Sequence, residues 1–121
     1  LSARRIQDGV LVIKPMRVSA AEILEDIHLD YLPTAKSRKV TFSVRQVDPT
    51  IKVYADRLGI SRVLSNLVSN ALKFTPTGGS VELSAQKVQG GSRITVKDSG
   101  AGIEPSERPL LFKKYSRLDK H

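Results

Sequence analysis

Between Asp56 and Lys97 the hydrophobic period of the chain switches from helical to alternating, and this switch constrains its fold more than any other feature. From Asp56 to Phe74, the residues Ile60, Val63, Leu64, Leu67, Val68 and Ala71 recur at i, i+3, i+4 spacing, so one helix face calls for burial. Residues 81–87 and 93–97 then alternate apolar and polar, the period of half-buried strands. Gln89-Gly90-Gly91-Ser92 between them reads as a hairpin turn. A helix and a sheet that are each apolar on one side bury those sides against each other.

The rest of the chain fits the same scheme. Residues 1–8 read as the tail of a helix ended by Gly9, which can take the left-handed conformation after a helix. Residues 10–13 read as a short strand closed by Pro15. Ser19 with Glu22 three residues on forms a capping box, and Ile23, Leu24 and Ile27 follow at helical spacing until Pro33. Val40, Phe42 and Val44 mark a strand over 40–44, Asp48-Pro49 a turn, and 51–54 another strand. Asp56 can cap the next helix, and Thr75-Pro76-Thr77-Gly78-Gly79 ends it. The expected fold is therefore α+β, a two-layer sandwich with helices on one face of a mixed sheet. Aromatics are 5% of the chain against 40% hydrophobic residues, so its core must be built from Leu, Ile and Val.

Composition removes several function classes. There is no cysteine, which excludes disulfides and Cys-based metal sites. No apolar run approaches the ~20 residues that span a bilayer, and Leu1-Ser2-Ala3-Arg4-Arg5 lacks a signal-peptide core. The formal charge of +8 invites a nucleic-acid reading. The basic residues are dispersed, however, with no basic helix stripe and no aromatic-interleaved basic strand, so no nucleic-acid partner is expected. The charge suits a solubilising surface with some attraction for an anionic ligand or an acidic protein.

Two segments carry chemistry. At about 100° per residue, Asn66, Asn70 and Lys73 fall together beside the apolar face of the second helix. Polar groups at the border of a buried stripe can line a cleft while the helix stays anchored. An Asn carbonyl oxygen suits Mg²⁺, whose remaining charge would be met by phosphates. Lys73 can reach a phosphate oxygen as a point charge, and Phe74 can offer its ring to a base. Taken singly, Asn66 and Asn70 read more simply as helix-surface amides. The second segment is Asp98-Ser99-Gly100-Ala101-Gly102-Ile103, an Asp at a strand end followed by a turn whose glycines let backbone approach a ligand. That carboxylate can accept from an exocyclic amine, which adenine has and guanine lacks at the matching position. Alone, it is a common Asp-Ser-Gly turn.

Taken together and in order, these segments resemble the ATP-binding catalytic domain of sensor histidine kinases. That domain belongs to the superfamily shared with gyrase, heat-shock-90 chaperones and MutL mismatch-repair proteins. Residues 66–75 match its N box and 98–103 its first glycine box. Leu111-Phe112-Lys113-Lys114-Tyr115-Ser116-Arg117-Leu118-Asp119 resembles its F box, with Tyr115 a mild departure. Residues 1–9 resemble the end of the dimerisation helix, leaving 10–121 as the ATP-binding domain. The resemblance implies a Bergerat-type fold with ATP and Mg²⁺ as cofactors. It implies that Asn70, assisted by Asn66, coordinates Mg²⁺, that Lys73 contacts phosphate, and that Phe74 borders the adenine. It further implies that Asp98 bonds adenine N6, that Gly100 and Gly102 bring the loop close to the base with Ile103 beside them, and that Phe112 and Tyr115 pack under a lid.

In hydrolysing relatives a Glu precedes the Mg²⁺-binding Asn by four residues and activates water. Here that position is Asn66, an amide that cannot act as a general base. The resemblance is therefore to the kinase branch, in which a histidine on a separate dimerisation domain attacks the γ-phosphate and a response regulator is the indirect partner. His28 is followed by Pro33 at an H-box spacing, but Leu29 and Tyr31 stand where acidic and basic residues belong, so it reads as a plain helix histidine. The family's lid, second glycine box, further helix and final hairpin do not follow the F box here. The expectation is a C-terminally incomplete domain in a cytoplasmic setting, with or without a membrane anchor in the parent. It would be inactive alone, and a homodimer through its exposed sheet or helix surface is one way to cover its apolar area. The alternative reading is a truncated nucleotide-binding or protein-interaction module without kinase activity.

Overall fold

The computed structural model describes residues 14–99 and 106–113. The helix tail at 1–9 and the strand at 10–13 lie outside the described residues. The elements run β1 (Pro15–Ser19), α1 (Ala20–Arg38), β2 (Thr41–Val47), β3 (Lys52–Asp56), α2 (Arg57–Phe74), β4 (Ser80–Val88), β5 (Gly91–Asp98) and β6 (Ser106–Lys113). The main sheet has the order β2-β4-β5-β6; β2 and β4 are parallel and the other neighbours antiparallel. β1 and β3 form a separate antiparallel ribbon. This is the α+β arrangement of helices on a mixed sheet that the periodicity requires.

Both helix starts follow from their caps. Ser19 Oγ accepts from the Glu22 N–H at 3.3 Å. Asp56 Oδ1 accepts from the N–H groups of Leu58 and Gly59 at 3.0 and 3.3 Å. Each supplies an acceptor to donors that lack an intrahelical partner. The Asp48 turn is held similarly, with Oδ1 accepting from Thr50 Oγ1 and Thr50 N–H. These bonds, helped by Lys87, hold the exposed Asp48 carboxyl below its ordinary value.

Pro15 opens β1, at the first position, where a missing N–H is tolerated. Pro33 departs from its reading as a breaker: it sits inside α1, which continues to Arg38. The proline removes the donor to the Leu29 carbonyl, but Leu29 is exposed and that carbonyl can turn to water. Beyond it Ala35 is fully buried, so packing carries the helix past the proline.

Helix α1 ends at Lys39, which has φ 59° and whose N–H reaches the carbonyls of Ala35 and Lys36. A lysine in this left-handed cap is strained where glycine would not be. Lys39→Gly is expected to stabilise the fold by about 0.5–1 kcal/mol, the strain relief less the added unfolded-state entropy. Urea unfolding of the two proteins checks this.

One aliphatic core joins the layers. Ile23, Leu24 and Ile27 of α1 and Leu64, Val68 and Leu72 of α2 pack with Val81, Leu83, Ile94 and Val96 of the sheet. The buried arc of α2 is rotated from the expected one. Leu72 is buried, Leu67 is half-buried, and Val63 is 45% exposed on the opposite flank. The β4–β5 hairpin turns at Gly90, whose φ of 83° suits glycine. Pro109 interrupts any regular period over 106–113, yet this segment is the edge strand β6, where proline is tolerated. Leu110 and Phe112 lean on the core and Leu111 is exposed between them.

Candidate functional site

Asn66, Asn70, Lys73 and Phe74 all lie on exposed positions of α2, away from the arc buried by Leu64, Val68, Ala71 and Leu72. Asn66 and Asn70 are one turn apart, and Lys73 and Phe74 occupy the next turn. Over the eight residue steps from Asn66 to Phe74 the helix rises roughly 12 Å. Phe74 is 68% exposed, and Lys73 Nζ stands 5.5 Å from its ring centroid. An ammonium at that distance is attracted to the ring face. The last turn of α2 thus presents a cation and an uncovered aromatic surface together.

The chain path brings this turn to the end of β5. Thr75 caps α2 in an extended conformation, and its N–H still bonds Ala71 O. Residues 76–79 form a tight turn, with Gly79 N–H donating to Pro76 O at 2.9 Å. Ser80 then opens β4 beside the exit of β5. Ser99 N–H donates to Ser80 O at 2.9 Å, and Ser80 N–H donates to Ser99 Oγ at 3.0 Å. Asp98 is in register with Val81 on one side and Ser106 on the other. Asp98 is half-buried, braced between two strands at the rim of the sheet.

Gly79 is the joint between the two halves. A Cβ there would lie 2.5 Å from Thr75 Cγ2 and 2.7 Å from Ser99 Oγ. The residue after Asp98 and the last residue of the N-box segment therefore meet with no room to spare. Thr75 is 4% exposed, and its Oγ1 has no hydrogen-bond partner among the described residues. A buried hydroxyl without a partner costs about 1–3 kcal/mol, a cost that a polar ligand or ordered water at this joint would offset.

The structure brings Lys73, Phe74, Thr75 and Asp98 to one end of the molecule, with Asn70 and Asn66 leading away along α2. It does not bring Phe112 there. Phe112 pairs with Ser92, six residues along β5 from Asp98 and so about 20 Å away. It packs half-buried against the core. Gly100, Gly102, Ile103 and Tyr115 lie outside the described residues. Sequence reasoning missed Thr75 and Ser80 as parts of the joint. Thr75 stood within the matched N box, and its burial is the signal that only the fold supplies.

Among the described residues no group of three His, Cys, Asp or Glu side chains could hold a metal by itself. The Asn66–Asn70 pair fits a different arrangement, in which a divalent ion arrives with phosphate oxygens and takes amide oxygens from the helix. His28 is turned inward: its Nε2 donates to Phe42 O at 2.9 Å and its ring lies 4.8 Å from that of Phe42. Among the described residues no helix is long and apolar enough to cross a membrane.

Residues 55–121 match the family model described as histidine kinase-, DNA gyrase B-, and HSP90-like ATPase. The adaptive-response sensory kinase SasA of Thermosynechococcus vestitus is 35% identical over 128 residues, which cover 99% of this chain and 32% of SasA. The chain spans between 9% and 32% of the length of such curated relatives. Among solved structures, the catalytic domain of histidine kinase ThkA superposes with a TM-score of 0.67 at 23% identity, covering 72% of this chain and 60% of that one. Full-length ShkA, solved in complex with AMPPNP, has a TM-score of 0.67 at 27% identity over 74% of this chain and 19% of its own.

Proposed function

The chain belongs to the histidine kinase-, DNA gyrase B- and HSP90-like ATPase family, and from that premise we propose that it is the ATP-holding part of a two-component sensor kinase. The γ-phosphate would pass to a histidine on a separate dimerisation domain, and from there to a response regulator. The observation that supports this reading best is the joint at Gly79. It packs Thr75, the residue that follows Lys73 and Phe74, against Ser99, the residue that follows Asp98.

The roles follow from chemistry. Asp98 would accept from the adenine amine, and Phe74 would cover the face or edge of the base. Lys73 would hold a phosphate oxygen. Asn70, with Asn66 one turn earlier, would offer amide oxygens to Mg²⁺, which when bound offsets the phosphate charge. Asn66 cannot remove a proton from water, so this set of residues favours positioning over hydrolysis. The inward bonding of His28 leaves it unsuited to attack a phosphate. This reading puts the acceptor histidine on a separate domain, and the 121 residues alone are expected to bind nucleotide with little turnover.

Calorimetry with ATP and ADP, with and without Mg²⁺, tests the reading. Micromolar to sub-millimolar affinity, with ATP binding strengthened by Mg²⁺, is the expected result. A folded chain that binds neither nucleotide would reduce this segment to a scaffold or interaction surface.

A further inference from the structure

The C-terminus of α2 is capped by another helix. Arg38, the last residue of α1, donates from Nε to Leu72 O and from Nη2 to Lys73 O, both at 2.9 Å. These carbonyls belong to the last turn of α2, where acceptors lack intrahelical donors. Thr75 follows in an extended conformation, so α2 has no left-handed cap of its own. The surrounding backbone is stitched to the same place: Gly78 N–H donates to Lys39 O at 2.8 Å, and Thr41 N–H donates to Gly79 O at 2.9 Å. Among the described residues Arg38 pairs with no carboxylate; its guanidinium is directed to the two helix carbonyls.

This placement has an electrostatic consequence. The C-terminal end of a helix carries roughly half a negative charge, which disfavours an anion nearby. Lys73 and Phe74 sit on that end, so a polyphosphate drawn to Lys73 approaches an unfavourable field. A guanidinium on the last carbonyls offsets it and fixes the turn that carries Lys73.

We propose that Arg38 is a positioning residue for the phosphate side of the nucleotide site, acting through the last turn of α2. The proposal rests on the reading of this chain as an ATP-binding domain. It predicts a charge-dependent effect: Arg38 matters for ATP and hardly for adenosine.

The experiment is binding of ATP and adenosine to the full chain and to Arg38→Ala, Arg38→Lys, Lys73→Ala and the Arg38→Ala/Lys73→Ala double variant, with amide exchange followed by NMR. Arg38→Ala is expected to weaken ATP about tenfold, adenosine less than twofold, and to speed exchange at the amides of Lys73, Phe74 and Thr75. Arg38→Lys, which keeps the charge but not the fork, should recover part of the ATP affinity. The double variant should bind ATP more tightly than the sum of the two single losses predicts. Equal losses for ATP and adenosine, or additive losses with Lys73→Ala, would overturn the proposal in favour of general support of the fold. An unchanged ATP affinity or an unchanged exchange pattern in Arg38→Ala would also overturn it. If the unaltered chain binds neither ligand, the nucleotide reading fails instead, and the exchange data alone still decide whether Arg38 secures the turn.

Discussion

Asp98→Ala should weaken ATP binding about a hundredfold, whereas Ser99→Ala should change affinity less than threefold. A hydrogen bond to a charged acceptor is worth about 1.5–3 kcal/mol, and a hundredfold loss lies at the upper end of that range. Asp98 qualifies for the large effect because it is held between Val81 and Ser106 at the rim of the sheet. Its backbone is fixed on both sides before any ligand arrives, so little main-chain ordering is lost on binding. Ser99 has a different task. Its Oγ accepts from Ser80 N–H and its own N–H reaches Ser80 O. Removing the hydroxyl strips one partner from the joint, so Ser99→Ala should lower stability by about 1 kcal/mol. Calorimetry and urea unfolding on the two variants separate the roles. Similar affinity losses in both would remove Asp98 from base recognition.

The largest effect on stability is expected at Gly79. Gly79→Ala should cost roughly 2–3 kcal/mol, a fall of about 10 °C in Tm for a chain of this size. The added Cβ would meet Thr75 Cγ2 at 2.5 Å, Ser99 Oγ at 2.7 Å and Pro76 O at 3.1 Å. None is the free end of a long side chain: one is a methyl next to backbone, one is already hydrogen-bonded, and one is a carbonyl. Relief requires α2 and β5 to separate, which is why nucleotide affinity should fall as well. Thr75→Ser in the same background removes the nearest methyl and should return part of the stability. A Gly79→Ala protein that melts with the unaltered chain would show that the joint is slack.

The parts legible in the sequence were those set by local chemistry. The caps at Ser19 and Asp56, the extent of α2 and the hairpin at Gln89-Gly90 all follow from short-range patterns, and the fold has them there. Departures arose where tertiary packing outweighed a local preference. Pro33 does not stop α1, because Ala35 beyond it is buried. Val63 fits the helical stripe yet faces outward, because the sheet contacts the side of α2 that includes Leu72. For the site, motif order picked out Asn66, Asn70, Lys73, Phe74 and Asp98 as separate residues. That Lys73, Phe74 and Asp98 share one end of the molecule depends on Gly79 and on the Ser80–Ser99 bonds, which no spacing rule contains. Phe112 shows the converse. Its motif suggests a place near the nucleotide, whereas strand pairing sets it opposite Ser92.

The two glycines at opposite ends of β4 give the molecule a direction for engineering. Gly79, at one end, has no space for a single methyl group. Gly90, at the other, has no atom within 4 Å of where a Cβ would stand, and it is exposed. The strand between them is nine residues long, so the two ends are separated by roughly 27 Å. Loop tips of this kind are where inserted sequence is best tolerated. A fluorophore, affinity tag or fused domain belongs at Gln89-Gly90, at the opposite end of β4 from the Gly79 joint.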